Sequence, residues 1–289
     1  MGPPISISKA LQQAVATLQQ AHVGEPRLTA EVLLCAALGR DKAFLYAHAG
    51  DDLDPGQAAR FQADMESRCS GVPTQYITGS QEFYGLPFRV TPDVLIPRPE
   101  TELLVEQALA RASAGDCILD IGTGSGAVAL AILGHLPGAR VFACDVSRAA
   151  LSVAGDNARS LSLDLPLVQA DLSEAFKKGV LDMIVCNPPY ISSMDMSSLQ
   201  KEVRDYEPHL ALFGGEDGLD AYRRLSATVC DLLRPSGWLL LEVGYNTSAA
   251  VKPMFDGAAW EKPSVYRDLA GWERVLAVQR GAARTKPEA

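Results

Sequence analysis

Near the start of the chain apolar positions recur at helical spacing. Leu11, Val15 and Leu18 stand at i, i+4 and i+7, Val32 to Leu38 forms an apolar block, and Phe61 and Met65 are four apart. Gly, Pro or an Asp cluster breaks each stretch, so residues 5 to about 72 read as a small helical bundle. From Gln75 to Pro99 the texture turns aromatic and β-branched, punctuated by Gly85, Pro87, Pro92 and Pro97, which predicts a short β-hairpin linking two domains.

Beyond Pro99 strand and helix patterns alternate. Strands are expected at Cys117 to Ile121, Arg140 to Cys144, Leu167 to Gln169, Leu181 to Cys186 and Trp238 to Val243. Helices are expected at Thr101 to Ala112, Ala127 to Leu133, Arg148 to Ser160 and Ala221 to Leu233. This order implies an α/β domain with a mainly parallel sheet covered on both faces. Two more strands are read around Ala270-Gly271, from Ser264 to Val278, and the last ten residues read as a frayed tail. The expected division is 1–74 helical bundle, 75–99 hairpin linker and 100–289 α/β domain.

Composition narrows the function classes. At 289 residues the chain has room for about two domains. Its longest apolar runs, such as Ala127 to Leu133, fall well short of the roughly 20 residues that span a bilayer, so no membrane association is expected. The balance of 26 basic against 35 acidic side chains, net −9, leans away from a nucleic-acid backbone as partner. Six cysteines and four histidines are scattered without metal-ligand spacing, so no metal is expected and the cysteines read as small buried residues in a reducing compartment. With no basic segment ahead of an apolar stretch near the start, the expected location is cytoplasmic.

Candidate chemistry sits at strand ends. The first strand of the α/β part runs into Asp120-Ile121-Gly122-Thr123-Gly124-Ser125-Gly126 and then a helix, the turn where a parallel sheet binds ligands. Missing side chains let a ligand approach the backbone closely. The Gly-x-Gly-x-Gly spacing is neither the dinucleotide fingerprint nor a P-loop, so the ligand is read as a nucleoside carrying an amino acid. Asp145 ends the second strand, where a carboxylate can take both ribose hydroxyls, and Asp171 follows the third, placed to accept from an adenine amino group. Together these features predict S-adenosylmethionine as cofactor.

The fourth strand delivers Asn187-Pro188-Pro189-Tyr190 on the same side. Two prolines stiffen the turn. The Asn187 amide oxygen and the Pro188 carbonyl are acceptors and Tyr190 offers an apolar ring, a set suited to a planar group bearing NH2. Such a nitrogen is a poor nucleophile because its lone pair is delocalised. Fixed acceptors that turn its hydrogens out of the plane free that lone pair to attack a sulfonium methyl.

These motifs resemble the HemK/PrmC family of peptide chain release factor glutamine methyltransferases. The resemblance runs from about Ser8 to Val278 and is carried by Gln75 to Gly79, Phe83 to Phe88, Leu95 to Glu102, Asp120 to Gly126 and Asn187 to Ile191. Glu202-Val203-Arg204, Tyr206-Glu207-Pro208, Gly214-Gly215, Asp217-Gly218-Leu219, Asp268 to Gly271 and Arg274-Val275 complete it. It implies a Rossmann-like class I S-adenosylmethionine-dependent methyltransferase sheet with a small N-terminal helical bundle. The implied reaction methylates the side-chain nitrogen of the Gln in a Gly-Gly-Gln loop and leaves S-adenosylhomocysteine.

The resemblance assigns Asn187, Pro188 and Tyr190 to catalysis, with Pro189, Arg98 and Glu100 beside the substrate. It assigns Asp120, Gly122, Thr123, Gly124, Gly126, Asp145, Val146, Asp171, Leu172 and Asn187 to the cofactor. The partner is then a release factor, with no direct nucleic-acid contact, and the enzyme a monomer. An internal salt bridge is the other reading of Arg98 and Glu100. Glu202, Arg204 and Glu207 stand as either a solvated helix face or a substrate contact. A DNA or RNA amine methyltransferase, taking a flipped adenine into the same turn, is the alternative activity. A cofactor-binding scaffold without catalysis is the third.

Overall fold

A computed structural model describes residues 5–172 and 175–282 of the chain. The frayed tail expected for the last ten residues lies mostly outside them. Two compact units emerge, one reaching to Ser80 and joined by Gln200–Tyr206, the other holding Gln81–Leu199 and the chain from Glu207 onward.

The first unit is helical. Its elements are α1 (Ile7–Gln20), α2 (Pro26–Leu38), α3 (Lys42–Ala47), α4 (Pro55–Ser70) and α5 (Thr74–Thr78). Ser6 caps α1 through the Lys9 amide, and Asp54 with Gln57 forms a capping box on α4. The buried stripe of α1 is Ile7, Ala10, Ala14 and Leu18, while Leu11 and Val15 sit at its margin, because the alanines face the core. Arg68, on the buried face of α4, pairs with Glu202 at 2.5 Å, and Ser70 accepts from Lys201 Nζ at 2.9 Å and Tyr206 Oη at 3.2 Å. Those contacts bring residues 200–206 into this unit, so Glu202 is not on a solvated face, whereas Arg204 pairs at the surface with its neighbour Asp205.

The expected hairpin is shorter than the 75–99 reading. Residues 74–78 are helical despite their β-branched and aromatic texture, since Pro73 starts the turn by accepting from the Tyr76 and Ile77 amides. Strands β1 (Ser80–Phe83) and β2 (Leu86–Arg89) follow, joined by Tyr84 and Gly85, both at positive φ as a two-residue hairpin turn requires.

In the second unit come α6 (Glu102–Leu109), β3 (Cys117–Ile121), α7 (Ala127–His135), β4 (Arg140–Asp145), α8 (Arg148–Ser160), β5 (Leu167–Gln169) and β6 (Leu181–Cys186). After α9 (Ser193–Met196) and α10 (Lys201–Tyr206, the segment held in the first unit), the chain returns as α11 (His209–Leu212), α12 (Asp220–Leu232) and β7 (Leu233–Glu242). It closes with α13 (Ser248–Val251), β8 (Ser264–Arg267) and β9 (Glu273–Gln279). The seven strands order as β5-β4-β3-β6-β7-β9-β8, parallel from β5 to β7 and antiparallel at β9 and β8.

This is the Rossmann-like sheet the sequence implies, and both its faces are dry. Ile118, Met183, Val185 and Leu240 meet α6 and α7 on one face. Leu119, Ile184, Leu239 and Leu241 meet α12 on the other. Alternate residues of β3 thus enter opposite cores, which is why that strand reads as an unbroken apolar run around one Asp.

Candidate active site

The C-terminal ends of β3, β4, β5 and β6 open into a cavity of about 340 Å³. Its walls include Gly122, Thr123, Gly124, Asp120, Asp145, Val146, Asp171 and Leu172 from the ends of β3 to β5, and Asn187, Pro188, Pro189 and Arg98 from the Asn-Pro-Pro-Tyr turn and the segment before α6. Gly126, Glu100 and Tyr190 lie off that wall.

The glycine loop is folded by its own backbone. Gly122, Gly124 and Gly126 all take positive φ, a conformation that leaves amides free to turn toward a ligand or a neighbouring strand. The Gly122 and Thr123 amides donate to the Cys144 carbonyl, stitching the loop to β4. At the end of β4, Asp145 accepts from the Gly124 amide through Oδ2 at 2.9 Å and from the Ser147 amide through Oδ1 at 2.8 Å. Each oxygen keeps a lone pair, so the carboxylate can still take two hydroxyl donors.

Asp120, 2% exposed, accepts from Thr123 Oγ1 at 2.6 Å. Burial pushes its carboxyl up to about 7, although the hydrogen bonds from Thr123 and the Ala129 amide favour the ionised form. Gly126 supports the loop from behind, where a Cβ would meet Leu130 and Ala154 at 3.1 and 3.2 Å.

Asp171 is not a free acceptor. Its carboxylate pairs with Arg224 Nη2 at 2.8 Å, and both side chains are about half exposed. A bound adenine amine would share that carboxylate with the guanidinium.

The second half of the cavity is assembled from distant segments. Asn187 Nδ2 donates to Thr101 Oγ1 at 3.3 Å. Arg98 lines the cavity and pairs with the buried Glu207, which also accepts from the Ile96 amide at 3.3 Å. Of the two readings of Arg98 and Glu100, the ion pair is present but with Glu207 as partner, and Glu100 faces solvent. Glu207 is therefore part of the wall's support and not a solvated face. Residues 214–218 lie directly on the backbone of the turn, since a Cβ on Gly218 would come within 2.4 Å of the Tyr190 carbonyl oxygen and one on Gly214 within 2.7 Å of the Pro189 oxygen, and Gly214 and Gly215 also line the cavity.

Two residues that sequence reasoning missed support the site. Asn157, 1% exposed on α8, donates to the carbonyls of Ser125 and Arg89 at 2.8 and 3.0 Å and accepts from the Arg89 amide at 2.7 Å, clamping the glycine loop to β2. The signal available was a lone amide among the apolar positions of a helix. Glu242 is the other, while Thr101 stands in the Leu95 to Glu102 stretch that carries the resemblance. Among the described residues no group of three or more His, Cys, Asp or Glu could hold a metal ion.

Comparison with known proteins gives this geometry a family. Residues 9–79 match a family model described as the PrmC N-terminal domain and residues 99–211 one described as the methyltransferase small domain. A release factor glutamine methyltransferase of Moorella thermoacetica is 44% identical over 281 residues, covering 96% of this chain and 99% of that protein. One of Koribacter versatilis is 40% identical over 275 residues, covering 94% and 98%. A solved methyltransferase from Pyrococcus furiosus, at 18% identity and a TM-score of 0.53, shares the fold over 79% of this chain and 100% of its own. A glycine loop beside the Asp145 carboxylate, an Asn-Pro-Pro-Tyr turn that lines the same cavity through its first three residues, and relatives of this identity along almost the whole length together establish that the chain belongs to the family of release factor glutamine methyltransferases.

Proposed function

We propose that the protein transfers a methyl group from S-adenosylmethionine to the side-chain nitrogen of the glutamine in the Gly-Gly-Gln loop of a peptide chain release factor. The observation that carries this reading is the pairing, in one cavity, of a nucleoside-type half with an Asn187 whose Nδ2 is already engaged by Thr101. With Nδ2 turned to Thr101 the Asn187 oxygen points the other way, and an acceptor is what a carboxamide NH2 requires.

Asp145 takes the ribose hydroxyls, and the backbone of Gly122 to Gly124 lines the approach of the amino-acid end. When bound, the cofactor supplies an electrophilic methyl on a sulfonium. Asn187 Oδ1 and the Pro188 carbonyl hold the two hydrogens of the substrate amide, which draws the nitrogen lone pair out of conjugation. With the cofactor bound, its sulfonium would give the methyl to that nitrogen and keep the electron pair of the broken carbon–sulfur bond, and the surplus proton would pass from nitrogen to water. Alignment and fixed acceptors supply the rate, with no strong base required.

In the same reading the helical domain, residues 1–74, and the 75–99 segment help to hold the release factor, and the enzyme works as a cytoplasmic monomer without direct nucleic-acid contact. The test is to incubate the protein with labelled cofactor and either a release factor or plasmid DNA, then map the product by mass spectrometry. One methyl on the Gly-Gly-Gln glutamine is the expected result. Label confined to DNA would overturn the reading in favour of an adenine-type amine methyltransferase.

A further inference from the structure

Asn187 can act as an acceptor only if its amide faces the right way, and a hydroxyl neighbour does not settle that. Thr101 can donate or accept, so alone it would hold either orientation of the amide. The deciding group lies one residue further. Glu242 ends β7 beside β6, where the register Cys186↔Leu241 sets it level with Asn187. It is 1% exposed, its Oε2 has no hydrogen-bond partner, and the nearby Thr101 hydroxyl acts on its carboxyl to favour the ionised form.

We propose that Glu242 and Thr101 are positioning residues that set the direction of the Asn187 amide, through a one-way chain of donors running from Asn187 to Thr101 to Glu242. The inference rests on Asn187 being the acceptor for the substrate amide. An ionised carboxylate has no proton to give. Thr101 must spend its single proton on Glu242, so toward Asn187 it presents lone pairs alone. The NH2 of Asn187 is drawn to Thr101 and its oxygen is left for the cavity.

A buried carboxyl with an orphan oxygen is costly where an apolar side chain would pack, and the chain of donors gives it a task. Reversal of the chain is equally specific. A protonated Glu242 can donate to Thr101, Thr101 then donates to Asn187 Oδ1, and the NH2 turns to the cavity, where it repels the hydrogens it should hold. Burial pushes Glu242 up to about 7. Arg274 and Arg98 act to keep it ionised, Glu100 opposes them, and Tyr190, Tyr222 and Cys186 are the other titratable groups facing it.

The experiment is steady-state kinetics of release-factor methylation by the full chain carrying Thr101→Val, Thr101→Ser or Glu242→Gln, each checked by thermal unfolding. Thr101→Val keeps the shape and removes the hydroxyl. It is expected to lower kcat at least about tenfold while KM for the release factor and cofactor affinity stay within about threefold, and Thr101→Ser to restore most of the loss. The wild type should lose kcat as pH falls through about 7, and Glu242→Gln, which cannot titrate, should not show that limb.

A folded Thr101→Val with wild-type kcat, a Ser variant no better than Val, or an unaltered acid limb in Glu242→Gln would each overturn the proposal. Should Thr101→Val fail to fold, the pH profile of the near-isosteric Glu242→Gln still decides. A wild-type enzyme that leaves the glutamine unmethylated sinks the activity itself, a result distinct from any of these.

Discussion

The two halves of the cavity are built in different ways. The nucleoside half is made from contiguous chain: three glycines, the Asp145 that receives the Gly124 and Ser147 amides, and Thr123 on Asp120 all come from residues 120–147. The half proposed to hold the substrate amide is made from side chains of Arg98, Thr101, Asn187, Glu207 and Glu242, brought together from four separate stretches. Backbone groups on a short loop hold their direction through local conformation. Side-chain acceptors hold theirs only while each partner in the relay keeps its own, so the second half should be the more easily broken.

Removing the acceptor gives the largest expected effect. Asn187→Ala should cut turnover by at least about a hundredfold, as the loss of one fixed transition-state partner does, while cofactor affinity stays within a few fold. Unchanged single-turnover rates would remove Asn187 from the chemistry and erase the contrast. In the nucleoside half, Asp145→Ala should weaken cofactor binding by about tenfold, the cost of leaving buried hydroxyls unpaired, with little change in turnover at saturation. Calorimetric titration checks it, and undiminished affinity would show that the loop backbone alone suffices.

A smaller effect sharpens the electrostatic side. Burial raises Asp120 from 3.8 to about 7, so between those values the folded state holds a proton that the unfolded chain gives up. Its contribution to stability is present in full at low pH and is lost as pH rises toward about 7. Asp120→Asn, which keeps an oxygen for Thr123, removes this dependence. Its melting temperature relative to wild type should therefore be more favourable above neutrality than below, and a pH-independent difference would contradict the assignment.

The smallest effect is expected at the Asp171–Arg224 pair. Both partners are about half exposed, where ion pairs contribute less than about 1 kcal/mol. Arg224→Ala should leave the melting temperature nearly unchanged and alter cofactor affinity by less than about threefold. A large gain in affinity would mean that the guanidinium competes with the nucleoside for Asp171.

That the glycine loop and Asp145 would line one cavity was legible because the information is local. A fully buried β3 running into alternating glycines, and a strand-end aspartate on β4, announce a ligand turn in any parallel sheet. The Asn-Pro-Pro-Tyr turn was legible for the same reason, since two prolines stiffen whatever they occupy. The same rules misread residues 75–78, where texture suggested the start of the hairpin linker and Pro73 instead opened a helical turn. They also left Glu207 open, because whether a carboxylate near Pro208 meets solvent or Arg98 depends on how the chain returns from residues 200–206.

Periodicity and turn chemistry, acting over a few residues at a time, were enough to determine the alternating sheet, the helical first unit and the two strand-end loops that face one cavity. The folded chain alone decided that Asn157 would clamp the glycine loop, that Arg68 would hold a helix 134 residues away in sequence, and that Glu242 would stand behind Thr101 and Asn187. Hydrogen-bond direction between distant side chains follows from strand register and burial, and neither quantity is written in any short stretch of sequence.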